Sequence, residues 1–156
     1  MSESERWMQR CIELAAESAA TGGGPFGALV VRGTELLATG VNGVTRLNDP
    51  TAHAEVQAIR AAGAALSDFR LAGCELYAST EPCPMCLAAA YWARVDAVYY
   101  AATRREAALA GFDDARIYEE LALAEDARSL RICRVGIAVA QAPFEVWLNN
   151  TGRTPY

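Results

Sequence analysis

Leu76-Tyr77-Ala78-Ser79-Thr80-Glu81-Pro82-Cys83-Pro84-Met85-Cys86-Leu87-Ala88-Ala89-Ala90-Tyr91-Trp92 is the stretch that decides the fold. Its first five residues are a short strand. Pro84 stands where a first-turn proline is tolerated, and the Ala-rich segment from Met85 to Arg94 continues a helix that begins at Cys83. Toward the N-terminus, Asn48-Asp49-Pro50-Thr51 is a turn that offers Thr51 as N-cap to a helix from Ala52 to about Leu66, with Val56, Ile59 and Ala62 on one face. Earlier still, Ala28-Leu29-Val30-Val31 and Leu36-Leu37-Ala38-Thr39 flank Gly33 as a hairpin. Gly22-Gly23-Gly24-Pro25 ends an amphipathic first helix that carries Trp7, Met8, Cys11 and Leu14 and opens on the capping-box spacing of Ser2 and Glu5. Beyond Trp92 we expect a strand around Ala97 to Ala101, helical segments at Arg104 to Leu109 and Asp113 to Leu123, and a last strand near Val135 to Ala140. A short helix around Phe144 to Asn150 and a polar tail ending at Tyr156 follow. Strands alternating with helices predict a three-layer α/β/α fold around one central mixed sheet, five-stranded on this count.

The 156 residues, 53% hydrophobic and 21% charged, suit one domain spanning 1–156 with a core that stands without disulfides. There is no repeat or low-complexity linker to divide it. No apolar run approaches the roughly 20 residues of a membrane helix, and Met1-Ser2-Glu3-Ser4-Glu5 is acidic where a signal peptide would be basic and then apolar. We therefore expect a cytoplasmic protein with no membrane partner. A net charge of −5 favours small neutral substrates over nucleic acid. Five cysteines at uneven spacing suit reduced thiols or metal ligation better than a disulfide framework.

His53-Ala54-Glu55 and Pro82-Cys83-Pro84-Met85-Cys86 both fall at predicted helix N-termini, separated by one strand. Zinc takes neutral imidazole and thiolate tetrahedrally, and a catalytic site keeps three protein ligands so that water can occupy the fourth position. His53, Cys83 and Cys86 make such a set for a single zinc. The partial positive charge of a helix N-terminus favours thiolate, and the metal brings the pKa of its water to about 7. Glu55, two residues from His53, is the candidate general acid/base, and with one histidine in the chain no second imidazole competes for that role.

Three other readings compete. A structural zinc site would recruit a fourth ligand from Cys11, Cys74 or Cys133, but none is paired at short spacing and each sits in an apolar context. A thioredoxin-like dithiol would use Cys83 and Cys86 alone and leave His53 and Glu55 unexplained. A module that only binds a ligand or partner would have no use for an intact Glu55.

H-x-E followed by P-C-x-x-C is the signature of zinc-dependent nucleobase deaminases. From about Trp7 to Tyr156 the sequence resembles the cytidine-deaminase-like zinc deaminases. The resemblance is carried by Gly24-Pro25-Phe26-Gly27-Ala28, by Asn48 through Val56, and by Met85-Cys86-Leu87 running into Tyr91-Trp92-Ala93-Arg94. Ala110-Gly111-Phe112-Asp113-Asp114 with Ile117-Tyr118, the Pro143-Phe144 turn and a terminal tyrosine look like the guanine branch rather than the tRNA-adenosine branch. The resemblance implies a cytidine-deaminase-like fold and the conversion of guanine to xanthine and ammonia. In that reaction zinc hydroxide attacks C2, and Glu55 carries the proton to the leaving amine. It implies Phe26 and Trp92 as aromatic walls, with Ala54, Asn42, Asp114 and Tyr156 also in contact with the purine. Asn42 could bond a purine edge or simply form a turn before Gly43. Asp113 and Asp114 read without the resemblance are a helix N-cap pair. Glu81 and Glu145 are further carboxylates that either approach the pocket or serve as solvated charges or helix first-turn carboxylates. The resemblance also implies a homodimer in which the segment from about 142 to 156 closes an active site, its own or, in a swapped arrangement, the partner's. Deaminases of cytosine, guanosine, ammeline or tRNA adenosine share the catalytic residues and differ in pocket lining.

Overall fold

In the computed structural model, which describes every residue from Met1 to Tyr156, β1 (Gly27–Arg32) is apolar on both faces and buried along its length up to Arg32. A strand of that kind needs cover on both sides, and it has it. Leu29 and Val31, with Tyr77, face α1 (Glu3–Ala20) through Cys11 and Leu14. Ala28 and Val30, with Leu76, face the alanine rows of α3 (Ala54–Leu66) and α4 (Pro84–Ala93), namely Ala54, Ala58, Ala62, Ala90 and Ala93. Alternate residues of one strand thus meet opposite helical layers, which is the predicted three-layer arrangement.

The sheet runs β2-β1-β3-β4, with β2 (Glu35–Val41) and β3 (Glu75–Thr80) antiparallel to β1, and β4 (Ala97–Ala102) parallel to β3. Leu29 lies opposite both Thr39 and Tyr77, and Tyr77 lies opposite Tyr99. The parallel pair is closed by α4 as its crossover, as the opening stretch required. The hairpin turns on Gly33 at φ +58°, and a register shift falls between Val30 and Val31. Ser2 and Glu5 form the expected capping box on α1, and Thr103 and Glu106 form a second one on α5 (Arg104–Leu109).

Four strands are present where five were expected. Residues 131–137 are neither helix nor strand, and 138–141 form a turn, so the alternation of Val135, Ile137 and Val139 finds no ladder partner in this chain. Periodicity reports a strand's faces, not its neighbour. Thr51 also does not cap α3. It bonds Asp49 Oδ1 through both its amide (2.8 Å) and its hydroxyl (2.7 Å), and His53 takes the N-cap position. A one-turn α2 (Val44–Leu47) was not foreseen, and α6 (Ala115–Ala122) is shorter than predicted.

Two units divide the chain, Met1–Tyr118 and Glu119–Tyr156. The second carries a 3-10 turn (Glu125–Ala127) and α7 (Ala142–Asn149). Within it Arg128 donates to the Glu120 carbonyl at 3.1 Å, and Arg153 closes the end of α7 on the carbonyls of Leu148 (2.9 Å) and Asn150 (3.1 Å). No helix is long and apolar enough to cross a membrane.

Candidate active site

Both ligand motifs open helices, and the backbone shows why. His53 (φ −70°, ψ 154°) and Cys83 (φ −66°, ψ 168°) are the N-caps of α3 and α4, and neither side chain makes a capping bond. Ser, Thr or Asp there would stabilise each helix by roughly 1 kcal/mol, so these two positions forgo a cap and leave imidazole and thiol free. α3 is seated by Gly40 of β2, where a Cβ would lie 2.1 Å from the Ala54 carbonyl oxygen and 2.5 Å from the Ala58 nitrogen. Only a residue without a side chain admits the helix that close.

His53 Nδ1 stands 3.6 Å from Cys83 Sγ and 3.5 Å from Cys86 Sγ, and all three donor atoms lie within 4.8 Å of one another. Tetrahedral zinc, with Zn–S of about 2.3 Å and Zn–N of about 2.0–2.1 Å, holds nitrogen and sulfur about 3.6 Å apart. The donor set therefore fits zinc in both chemistry and spacing. It has three members, as a site with an open position requires. Cys11 is engaged elsewhere, its Sγ donating to the Tyr77 carbonyl at 3.3 Å, Cys74 is buried in the core, and Cys133 is an exposed residue of the second unit.

The electrostatics agree. Cys83 is held down to about 4, first by a hydrogen bond from Cys86, and Cys86 is pushed up by that same bond. Cys83 in turn raises His53 through their hydrogen bond. One thiolate, one thiol and an imidazole inclined to protonate form a cluster whose protons a divalent cation would replace. Glu55, 8% exposed, is raised by burial.

A cavity of about 570 Å³ opens beside this cluster, lined by Phe26, Asn42, His53, Glu55, Glu81, Cys83 and Asp114 among others. Phe26 meets Phe112 edge to face, with ring centroids 4.9 Å apart at 87°. Asn42 makes the turn bond, Oδ1 accepting from the Val44 amide at 3.2 Å, and it borders the cavity. Both aspartates border the cavity. Asp113 also closes a local turn, accepting from the Ala115 amide at 2.8 Å, while Asp114 is raised by desolvation and then by the neighbouring Cys83. Glu81 borders the cavity and accepts from the Arg104 amide at 3.0 Å.

Ala54 is buried beneath the first turn of α3 and puts no side chain into the lining. Trp92, expected as an aromatic wall, does not line the cavity of its own chain: it is 68% exposed, six residues beyond Cys86, which at about 100° per residue turns it roughly 120° away around α4. Phe112 supplies the second aromatic wall. Its segment was singled out, but an aromatic before an Asp pair carries no mark distinguishing pocket from core. Arg104 and Ile117 were likewise missed. Glu145, in the first turn of α7, and Tyr156, 73% exposed at the chain end, belong to the second unit, whereas every residue lining the cavity belongs to the first.

A sequence profile for the zinc-binding region of cytidine and deoxycytidylate deaminases matches residues 1–102. The chain belongs to this zinc deaminase family. Among the zinc deaminases it is 46% identical to the guanine deaminase of Bacillus subtilis over 153 residues, covering 97% of this chain and 98% of that protein. The crystal structure of the Bacillus subtilis guanine deaminase superposes with a TM-score of 0.95 over the same shares of the two chains. The tRNA-specific adenosine deaminase of Agrobacterium fabrum is 39% identical over 102 residues, 65% of this chain and 67% of that protein.

Proposed function

We propose that this protein deaminates guanine, adding water at C2 and releasing xanthine and ammonia. The observation that carries this reading is the reach of the similarity to a guanine deaminase, which spans 97% of the chain where that to a tRNA adenosine deaminase spans 65%. His53, Cys83 and Cys86 would hold a zinc ion, which when bound would supply an activated water at neutral pH. Glu55 takes a proton from the attacking water and delivers it to the departing amine, so that the C2–N bond breaks as the new C2–O bond is kept. Its burial favours the protonated carboxyl, which suits a group that carries a proton rather than one that stays ionised.

Binding falls to the rest of the lining. Phe26, backed by Phe112, offers a face for the purine. With Oδ1 occupied by Val44, Asn42 has its amide N–H₂ to donate to an acceptor on the purine edge, and Ala54, first residue of α3, offers a backbone N–H. Asp114 accepts a ring N–H. Glu81 keeps the loop to Arg104 in place. The carboxylates Glu55, Glu81, Asp113 and Asp114 outnumber Arg104 around the cavity, and together with the net charge of −5 they favour a neutral base over a nucleic acid.

We further propose a cytoplasmic homodimer in which 1–156 acts as one catalytic domain and the segment from about 142 to 156 of one protomer, with Glu145 and Tyr156, closes the site of its partner. The support is that Val135, Ile137, Val139, Phe144, Val146 and Leu148 are all more than half exposed, while β4 ends the sheet with its outer edge unpaired. The deciding experiment incubates zinc-assayed protein separately with guanine, guanosine, adenine, cytosine, ammeline and a tRNA anticodon stem, and measures ammonia. We expect release from guanine matched by xanthine and none from the tRNA stem. No release from guanine by zinc-loaded protein would refute the proposal.

A further inference from the structure

Asp114 and the ligand turn reach the cavity from different parts of the chain, and a single side chain joins them. The Tyr118 hydroxyl donates to the Pro82 carbonyl at 3.3 Å, and Pro82 immediately precedes the ligand Cys83. Pro82 is buried, and its carbonyl lies outside the ladder of α4, where the Leu87 amide already bonds to the Cys83 carbonyl at 2.9 Å. The hydroxyl therefore satisfies a buried acceptor that the helix does not serve. At its other end Tyr118 stands four residues after Asp114, on the same face of α6. Its own amide and that of Ile117 donate to the Asp114 carbonyl at 3.4 and 2.9 Å, so the anchored ring and the first turn of the helix move together.

A second contact returns to the same turn. The Arg104 guanidinium lies 4.4 Å from the Tyr118 ring centroid, and the Arg104 amide donates to Glu81, one residue before Pro82. Hydroxyl and ring are thus both tied to Glu81-Pro82-Cys83.

We propose that Tyr118 is a positioning residue for the deamination, setting the span between the ligand turn and Asp114 and so the place where a bound purine is held against its reacting carbon. The inference rests on the role given to Asp114 above. Tyr118 acts through Asp114 and moves no proton itself.

The test is a double-mutant cycle on guanine with zinc-loaded wild type, Tyr118→Phe, Asp114→Asn and the double variant. Phenylalanine keeps the ring beneath Arg104 and removes only the anchor. We expect Tyr118→Phe to retain wild-type zinc content and to lose roughly tenfold in kcat/KM, mostly in kcat, the scale of one lost hydrogen bond acting on geometry. In the Asp114→Asn background the same change should cost less than about twofold, because the group it positions is gone. Unchanged kcat/KM, the same fold-loss in both backgrounds, or loss of zinc from Tyr118→Phe would each overturn the inference. Wild type inactive on guanine would refute the function proposed above and this inference with it, whereas active wild type with a kinetically silent Asp114→Asn would leave the function standing and refute the role of Asp114 and this inference.

Discussion

Gly40→Ala tests how the strand–helix contact holds the site. The new Cβ would sit 2.1 Å from the Ala54 carbonyl oxygen and 2.5 Å from the Ala58 nitrogen, where ordinary contact begins at 3.4 Å. Both neighbours are backbone atoms of α3, so no side chain can swing aside, and the helix must retreat from β2 by about 1 Å. Overpacking of this kind costs about 1–3 kcal/mol. For a chain of this size each kcal/mol lowers Tm by about 2–4 °C. The same retreat carries His53 and Glu55, which open that helix, and a displacement of about 1 Å in reacting groups costs up to about 10²-fold in rate. Thermal melting and kcat on guanine should therefore fall together. Gly33→Ala is the control, since its Cβ meets nothing within 4 Å and only the φ of +58° opposes it. It should lose about 1 kcal/mol and leave kcat unchanged. A Gly40→Ala protein with wild-type Tm and kcat would refute the reasoning.

Glu55→Gln should keep zinc, measured by elemental analysis, and lose about 10²–10⁴-fold in kcat; a variant of near-normal activity would remove Glu55 from the mechanism. Burial pushes Cys11 up to about 12 from 9.0, so above pH 9 the unfolded thiol ionises while the folded one holds its proton. Stability is then full below pH 9 and falls between pH 9 and 12, by up to about 1.4 kcal/mol per pH unit, and Cys11→Ala should flatten urea-unfolding free energies across that window. Deleting Thr154 to Tyr156 should cut turnover without removing zinc, and unchanged kinetics would end the lid proposal.

What could be read from the sequence follows the range of the forces involved. The capping box of Ser2 and Glu5, the turn at Gly33 and the helix opening at Pro84 are interactions within about four residues, and all three are present. The ligand set was legible because metal chemistry restricts both residue type and spacing. Lining residues carry no such restriction. Phe112 faces the cavity only because Phe26, far away in sequence, stands beside it, and Trp92 misses it because α4 is committed by Cys86, Ala90 and Ala93 to another face. Thr51 does not cap α3 because the helix opens two residues later, at His53, while Asp49 holds the Thr51 amide and hydroxyl in a local turn.

By itself the sequence determined the layer architecture, since the strand from Gly27 to Val31 is apolar on both faces and needs helical cover on each. It also determined the three donors and the one buried carboxylate. Tertiary structure alone decided the strand count, because Val135, Ile137 and Val139 alternate like a strand but pairing needs a free edge brought alongside. It alone decided that Asp114 borders a cavity shared with Phe26 and Asn42, and that Tyr118 reaches back to Pro82. Each of these is a contact between segments far apart in the chain, whose closure is governed by packing rather than by any local preference of the residues that meet.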